Sequence, residues 1–291
     1  MNPFKGVITA LVTPLKNNKI DEIRLRGLVS FQIASGVHGL VPCGTTGESA
    51  TLSCEEKKDV IQIVIEEAKN RVPVIAGTGS NNTQETIEFT TWAKEVGAQG
   101  ALIVTPYYNK PSSEGLFRHY EALNNIGIPI ILYNVPSRTA LSIPLETLKR
   151  MVLFEYIVGI KEATGSLSFA SEIYQACGSK LTLLSGDDFT FLPFLSVGGM
   201  GVISVASNVV PKEFVQLYES FVKREMEKAQ SIHYRLYLLM QALFVETNPI
   251  PVKTALAMMG KIHLEFRLPL CEMKKENEIL LKQALSSLEL I

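Results

Sequence analysis

Eight short apolar runs rich in β-branched residues recur along this chain, each followed by an amphipathic stretch of helical spacing. Val7–Val12, Leu40–Pro42, Val74–Ala76, Ala101–Thr105, Ile130–Tyr133, Ile157–Lys161, Leu181–Leu184 and Val202–Ser204 read as strands. Their C-terminal ends fall about 20 to 34 residues apart, the length of one strand–helix–strand unit. Strands this continuously apolar belong to a parallel sheet covered by helices. Eight repeats favour closure into an α/β fold of the (β/α)8 TIM-barrel type, with a doubly wound open sheet as the rival. Helix starts are chemically marked: Ser53 with Glu56 forms a capping box before Val60–Ala68, and Pro211 suits the first turn of Pro211–Val222. Beyond residue 222 the strands stop, and Met226–Phe244, Pro251–Met259 and Cys271–Leu288 read as helices. The expected organisation is therefore a catalytic barrel over residues 1–222 and a C-terminal helical extension over 223–291 packed on it.

With 291 residues, 46% of them hydrophobic, the chain has ample apolar material for such a core. A net charge of −1 gives no electrostatic footprint for nucleic acid or an anionic membrane. Residues 1–19 lack the charged flank and apolar core of a signal peptide, and no apolar run is long enough to span a bilayer. Cys43, Cys54, Cys177 and Cys271 have neither disulfide-framework nor zinc-knuckle spacing. A cytoplasmic location with reduced thiols is the expectation.

Active sites of (β/α)8 barrels lie at the C-terminal ends of the strands and in the loops that follow. Lys161 closes the apolar run Tyr156–Lys161. Burial disfavours the charged ammonium, and only a neutral amine attacks a carbonyl, so a lysine here suits Schiff-base chemistry. A lysine snorkelling to the rim, or paired with a carboxylate, is the plainer alternative. Its neighbour Glu162 should face the opposite side of the strand. Tyr133 ends the preceding strand, and adjacent strands lie about 4.8 Å apart, which brings the phenol within reach of Lys161 as a proton shuttle. Taken alone, Tyr133 is equally an ordinary aromatic.

Gly44-Thr45-Thr46-Gly47-Glu48 follows the second strand. Its glycines let backbone N–H groups turn inward around a carboxylate, and its threonines add hydroxyl donors; a plain turn is the alternative. No phosphate-binding glycine motif is present. In the loop after Tyr133, Arg138 can grip a second carboxylate in bidentate fashion or simply stand exposed. The four histidines show no ligand spacing, which disfavours a metal-dependent aldolase.

GTTGES, VTPYYNKPS, YNVPSRT, GIKEATG, SGDD and NPIPVK occur in this order, and together they resemble the dihydrodipicolinate synthase family over about residues 4–268. The resemblance implies a barrel lyase that condenses pyruvate with aspartate semialdehyde. It also implies a homotetramer built from tight dimers, with no metal or organic cofactor. By position, it assigns Lys161 as the Schiff-base lysine and Tyr133 as the proton shuttle. Thr45 would link Tyr133 to Tyr108 of a neighbouring subunit, Thr46 would hold the pyruvate carboxylate, and Arg138 the semialdehyde carboxylate. Gly186 and Ile203 would line the pocket. Ser49, Ala50, Asn81, Glu85 and Tyr107 match an allosteric lysine site, but Cys54 and Lys57 replace two histidines of strongly regulated members. Pro42-Cys43 and Ala140 also depart from the usual pattern. The same fold and lysine serve N-acetylneuraminate lyase and 2-keto-3-deoxy sugar-acid aldolases, and a non-catalytic pyruvate sensor could retain the pocket.

Overall fold

The computed structural model describes residues 4–291, which form two compact units, each assembled from separate stretches of chain. Residues 7–72 and 204–291 make one unit; residues 73–203, with the segment up to Gly6, make the other.

The first unit contains β1 (Gly6–Ala10), β2 (Leu15–Lys16), β3 (Lys19–Ile20) and β4 (Gly39–Val41). Every residue of β1 and β4 is buried, as expected of parallel strands covered on both faces. They pair in parallel with Ile8 opposite Gly39 and Ala10 opposite Val41. The short antiparallel pair β2–β3 was not foreseen. Its signal is the Asn17-Asn18 dipeptide, whose residues both hold positive φ, 53° and 58°, as a two-residue type I′ hairpin requires.

A buried polar network ties β1 to the chain's later part. Thr9 Oγ1 donates to Gln32 Oε1 at 2.8 Å, Gln32 Nε2 donates to the Ser207 carbonyl at 3.0 Å, and Asn208 Nδ2 donates to the Ala10 carbonyl at 2.8 Å. The helix Cys54–Ala68 begins at the expected box: Ser53 accepts from the Glu56 N–H while Glu56 accepts from the Ser53 N–H. Helices Pro211–Val222, Met226–Leu243, Ile250–Met258 and Lys275–Ser287 complete this unit. Ile250–Met258 buries residues on nearly every side, so it is an internal helix rather than a surface one.

The second unit runs through β5 (Ile75–Gly77), β6 (Gly100–Val104), β7 (Ile130–Asn134), β8 (Ile157–Glu162), β9 (Thr182–Ser185) and β10 (Gly201–Ser204). Successive strands pair in parallel, as right-handed β–α–β crossovers demand. One face of the strands packs on the helices: Ile103, Ile130, Leu132, Ile160 and Leu183 join Leu116, Tyr120, Leu148, Ile173 and Phe194 in a continuous core. Among the described residues, each of the eight expected strands is present within two residues of its expected ends, and a helix follows each before the next of the eight, after the β2–β3 hairpin in the case of the first. The chain has the (β/α)8 TIM-barrel fold, followed by C-terminal helices.

The register of β7 on β8 decides which side chains meet. Ile130 faces Ile157, but Ile131 faces Gly159, so Val158 is an extra residue in β8. From there on Leu132 faces Ile160 and Tyr133 faces Lys161. Without this bulge the pairing would slip by one and Tyr133 would lie opposite Ile160.

Candidate active site

Two clusters carry the chemistry, one in each unit. In the second unit, Leu132 and Ile160 belong to the helix-facing core, so the residues that follow them, Tyr133 and Lys161, lie on the other face. Lys161 is 5% exposed although it lies one residue from the end of its strand, and its Nζ lies 4.3 Å from the centroid of the Tyr133 ring. The amine therefore sits on an aromatic face beside a phenol at the C-terminal ends of two strands. Gly186 closes the opposite side. A Cβ there would stand 2.5 Å from Ala163 Cβ and 3.1 Å from Lys161 Cε, so only glycine leaves the lysine stem its space.

Glu162 faces the helices, as strand alternation requires. Its carboxylate accepts from Asn134 Nδ2 at 2.7 Å and from the Thr164 N–H at 2.7 Å. Burial raises its pKa, and these hydrogen bonds partly oppose the rise. Asn134 Oδ1 accepts from the Ile143 N–H at 2.9 Å, which fixes the loop carrying Arg138 at its far end. Arg138 itself lies exposed in the single helical turn Pro136–Thr139. The residue after that turn, Ala140, takes φ 53°, a left-handed conformation that a residue with a Cβ adopts at some cost. Ile203 is buried within β10. Tyr107 and Tyr108 are 40% and 90% exposed, and Tyr108 holds φ 68°, unusual for an aromatic residue. Asn81 and the exposed Glu85 flank the N-cap Asn82 of the helix Thr83–Glu95, where Ser80 Oγ donates to Glu85 at 3.1 Å.

In the first unit, Thr45–Gly47 form a 3-10 turn and Ser49–Thr51 another, with Ala50 exposed. Thr45 is half-buried and Thr46 buried, and Thr46 Oγ1 accepts from Asn248 Nδ2 at 3.0 Å. Glu48 joins the two turns in a left-handed conformation, φ 52°. Its carboxylate is fully inside, paired with Lys253 Nζ and accepting from the Arg267 N–H at 3.3 Å. Burial lowers the pKa of Lys253, and Glu48 counters that shift. Arg267 also clasps Glu56 in bidentate fashion, with bonds of 2.7 and 2.6 Å, and donates to the Thr51 carbonyl at 3.0 Å. Asn248, Lys253 and Arg267 had no assigned role in the sequence reading. The visible signal was a lysine within the otherwise apolar helix of the NPIPVK segment.

The Arg267 guanidinium holds the Glu56 carboxyl at a pKa of about 2, below its ordinary 4.5. A depressed carboxyl stabilises the fold above its unfolded pKa and loses that contribution as pH falls. Glu56→Gln is therefore expected to lower unfolding free energy at neutral pH by about 1–3 kcal/mol. Urea unfolding at stepped pH should show the difference shrinking between about pH 4.5 and 2. A difference independent of pH would mean that the pair does not stabilise by charge.

Cys43, at φ 56°, is buried, and desolvation pushes its thiol up to about 12. It donates to the Lys57 carbonyl at 3.6 Å. A thiol so far from ionisation is packing, not a nucleophile.

Fold and site define an α/β-barrel protein with a buried amine, stacked on a tyrosine, at a strand C-terminus. A family model for the dihydrodipicolinate synthetase family matches residues 3–288. The chain belongs to the dihydrodipicolinate synthetase family. It is 54% identical over 286 residues to a 4-hydroxy-tetrahydrodipicolinate synthase of Nitratidesulfovibrio vulgaris, covering 98% of each chain. A second such synthase, of Thermodesulfovibrio yellowstonii, is 54% identical over 289 residues, 99% of each chain. Among solved structures, dihydrodipicolinate synthase from Aquifex aeolicus matches at TM-score 0.97 and 46% identity, covering 99% of both chains. The enzyme from Cyanidioschyzon merolae, solved with lysine bound, matches at TM-score 0.97 and 39% identity over 100% of both.

Proposed function

We propose that this chain is a 4-hydroxy-tetrahydrodipicolinate synthase of lysine and diaminopimelate biosynthesis, joining pyruvate to aspartate semialdehyde through a Schiff base on Lys161. The observation that carries the reading is the Lys161 amine, buried at a strand end and 4.3 Å from the Tyr133 ring, in a chain of this family. The amine attacks the pyruvate ketone to give a carbinolamine. Tyr133 protonates the departing hydroxyl, and water leaves as the imine forms. Loss of a methyl proton gives an enamine, whose carbon adds to the semialdehyde carbonyl while the resulting alkoxide takes up a proton. Thr45 and Tyr108 complete the proton relay. The exposure of Tyr108 accords with its reaching a neighbouring copy in a homotetramer of tight dimers. Thr46 holds the pyruvate carboxylate, and Gly186 and Ile203 shape the wall around the adduct. No helix among the described residues is long and apolar enough to cross a membrane, which accords with a cytoplasmic enzyme.

Pyruvate offered with a panel of aldehydes tests the substrate assignment. Product is expected with aspartate semialdehyde; turnover confined to sugar aldehydes would favour a sugar-acid aldolase, and binding without turnover a sensor. Arg138 is assigned to the semialdehyde carboxylate. Arg138→Ala is therefore expected to cost about 1.5–3 kcal/mol with that substrate, on the order of ten- to a hundredfold in kcat/KM, and to spare pyruvate adduct formation. Equal losses with both substrates would make the arginine a loop-ordering residue.

We further propose that lysine inhibits this enzyme weakly or not at all. By resemblance, Ser49, Ala50, Asn81, Glu85 and Tyr107 match the lysine site of regulated relatives, and Lys57 would bring a positive charge to such a site. Glu56, an acidic neighbour of Lys57 along the helix, is engaged by Arg267 instead. Like charges about 6 Å apart at an effective dielectric near 20 repel by roughly 3 kcal/mol before screening. Steady-state assays with added lysine should show little inhibition, and Lys57→His should restore part of it. Strong inhibition at sub-millimolar lysine would contradict this.

A further inference from the structure

The mechanism makes no use of the charged and polar groups that residues 248–267 send to the GTTGE loop, yet they are among the most buried in the chain. Lys253 is 0% exposed and Glu48 4% exposed. An ion pair so deep loses much solvation, and hydrophobic residues of the same size commonly give equal stability. Its retention therefore calls for a geometric explanation. Glu48 is the residue where the chain takes a left-handed step between two 3-10 turns, a conformation that side chains other than glycine adopt at some cost. Lys253 Nζ and the Arg267 N–H bind the two carboxylate oxygens, which fixes that step from both sides. Two residues earlier, Asn248 Nδ2 donates to Thr46 Oγ1. A hydroxyl that accepts one hydrogen bond directs its own proton elsewhere, so Asn248 turns Thr46 into an oriented donor. An oriented donor is what a carboxylate, an acceptor only, requires.

We propose that Asn248 and Lys253 are positioning residues for pyruvate, Asn248 setting the Thr46 hydroxyl as a donor and Lys253 holding the turn at Glu48. This rests on the role proposed for Thr46. The C-terminal segment thereby becomes part of the substrate-binding machinery rather than a cover for the fold.

Three variants test it: Asn248→Ala, Asn248→Asp and the charge-free double variant Glu48→Gln/Lys253→Met. The double variant strands no buried charge, so it keeps the test open if Lys253→Met alone fails to fold. For each, pyruvate is titrated in borohydride trapping of the adduct, and kcat, both KM values and the thermal midpoint are measured. Each variant is expected to raise half-saturating pyruvate by about tenfold, the loss of one hydrogen bond to a charged group. The KM for semialdehyde and the thermal midpoint should stay near those of the unmodified enzyme. Asn248→Asp should exceed Asn248→Ala, because a carboxylate would draw the Thr46 proton to itself. Unchanged half-saturation in folded variants, or kcat and stability falling together at constant pyruvate KM, would overturn the proposal and leave the synthase reading intact. No adduct on the unmodified chain would overturn both.

Discussion

Lys161→Ala is expected to lower turnover by at least about a thousandfold, because removing a covalent nucleophile leaves only binding and electrostatic contributions. The amine is placed by three features at once: the strand end, the Tyr133 ring 4.3 Å away, and Gly186, whose missing Cβ leaves room for the lysine stem. No second lysine shares that position in the second unit's strands. Lys161→Arg should be equally inactive, since guanidinium stays protonated and cannot add to a ketone. Borohydride with pyruvate should attach a reduced adduct to the peptide containing Lys161 in the unmodified protein and to no peptide in either variant. Label on another lysine would remove the Schiff-base assignment whatever the kinetics showed.

The second large effect is on stability. Lys253→Met leaves the Glu48 carboxylate buried without a counter-charge, and breaking a buried pair from one side costs about 3–5 kcal/mol. For a domain of this size, about 1 kcal/mol moves the thermal midpoint by roughly 2 °C, so a fall of about 6–10 °C is expected. Adding Glu48→Gln removes the stranded charge and should recover most of the loss, giving a strongly non-additive cycle. Additive losses would mean that the two side chains act separately. The same double variant should still bind pyruvate poorly if the pair positions the loop, so stability and substrate affinity are expected to part company.

Much of this was legible in the chain itself. The eight strands came from apolar runs at regular spacing, and the signals are strong because parallel strands buried on both faces read as near-continuous apolar runs. The helix starting at Cys54 was legible from Ser53 and Glu56, whose capping box marks its first turn even though charged surface positions there mask the apolar period. Lys161 and Tyr133 were legible as polar residues ending apolar strands. The β2–β3 hairpin was missed because two-residue strands carry too little pattern, and Arg267 because its partners Asn18, Thr51 and Glu56 lie more than 200 positions away.

By itself the sequence determined the strand–helix succession and the residues at the strand ends, since each follows from local composition and alternation. Register and long-range pairing belong to the tertiary structure. Local pattern places Tyr133 and Lys161 at neighbouring strand ends, but only the extra residue Val158 in β8 sets them opposite one another instead of one residue out of step. Likewise, GTTGE reads as a turn, and NPIPVK as the start of a helix. Only folding brings Asn248 to Thr46 and Lys253 to Glu48 across 202 and 205 positions. A hydrogen bond or ion pair between such distant residues leaves no periodicity in either segment. It exists only where packing holds both partners out of water.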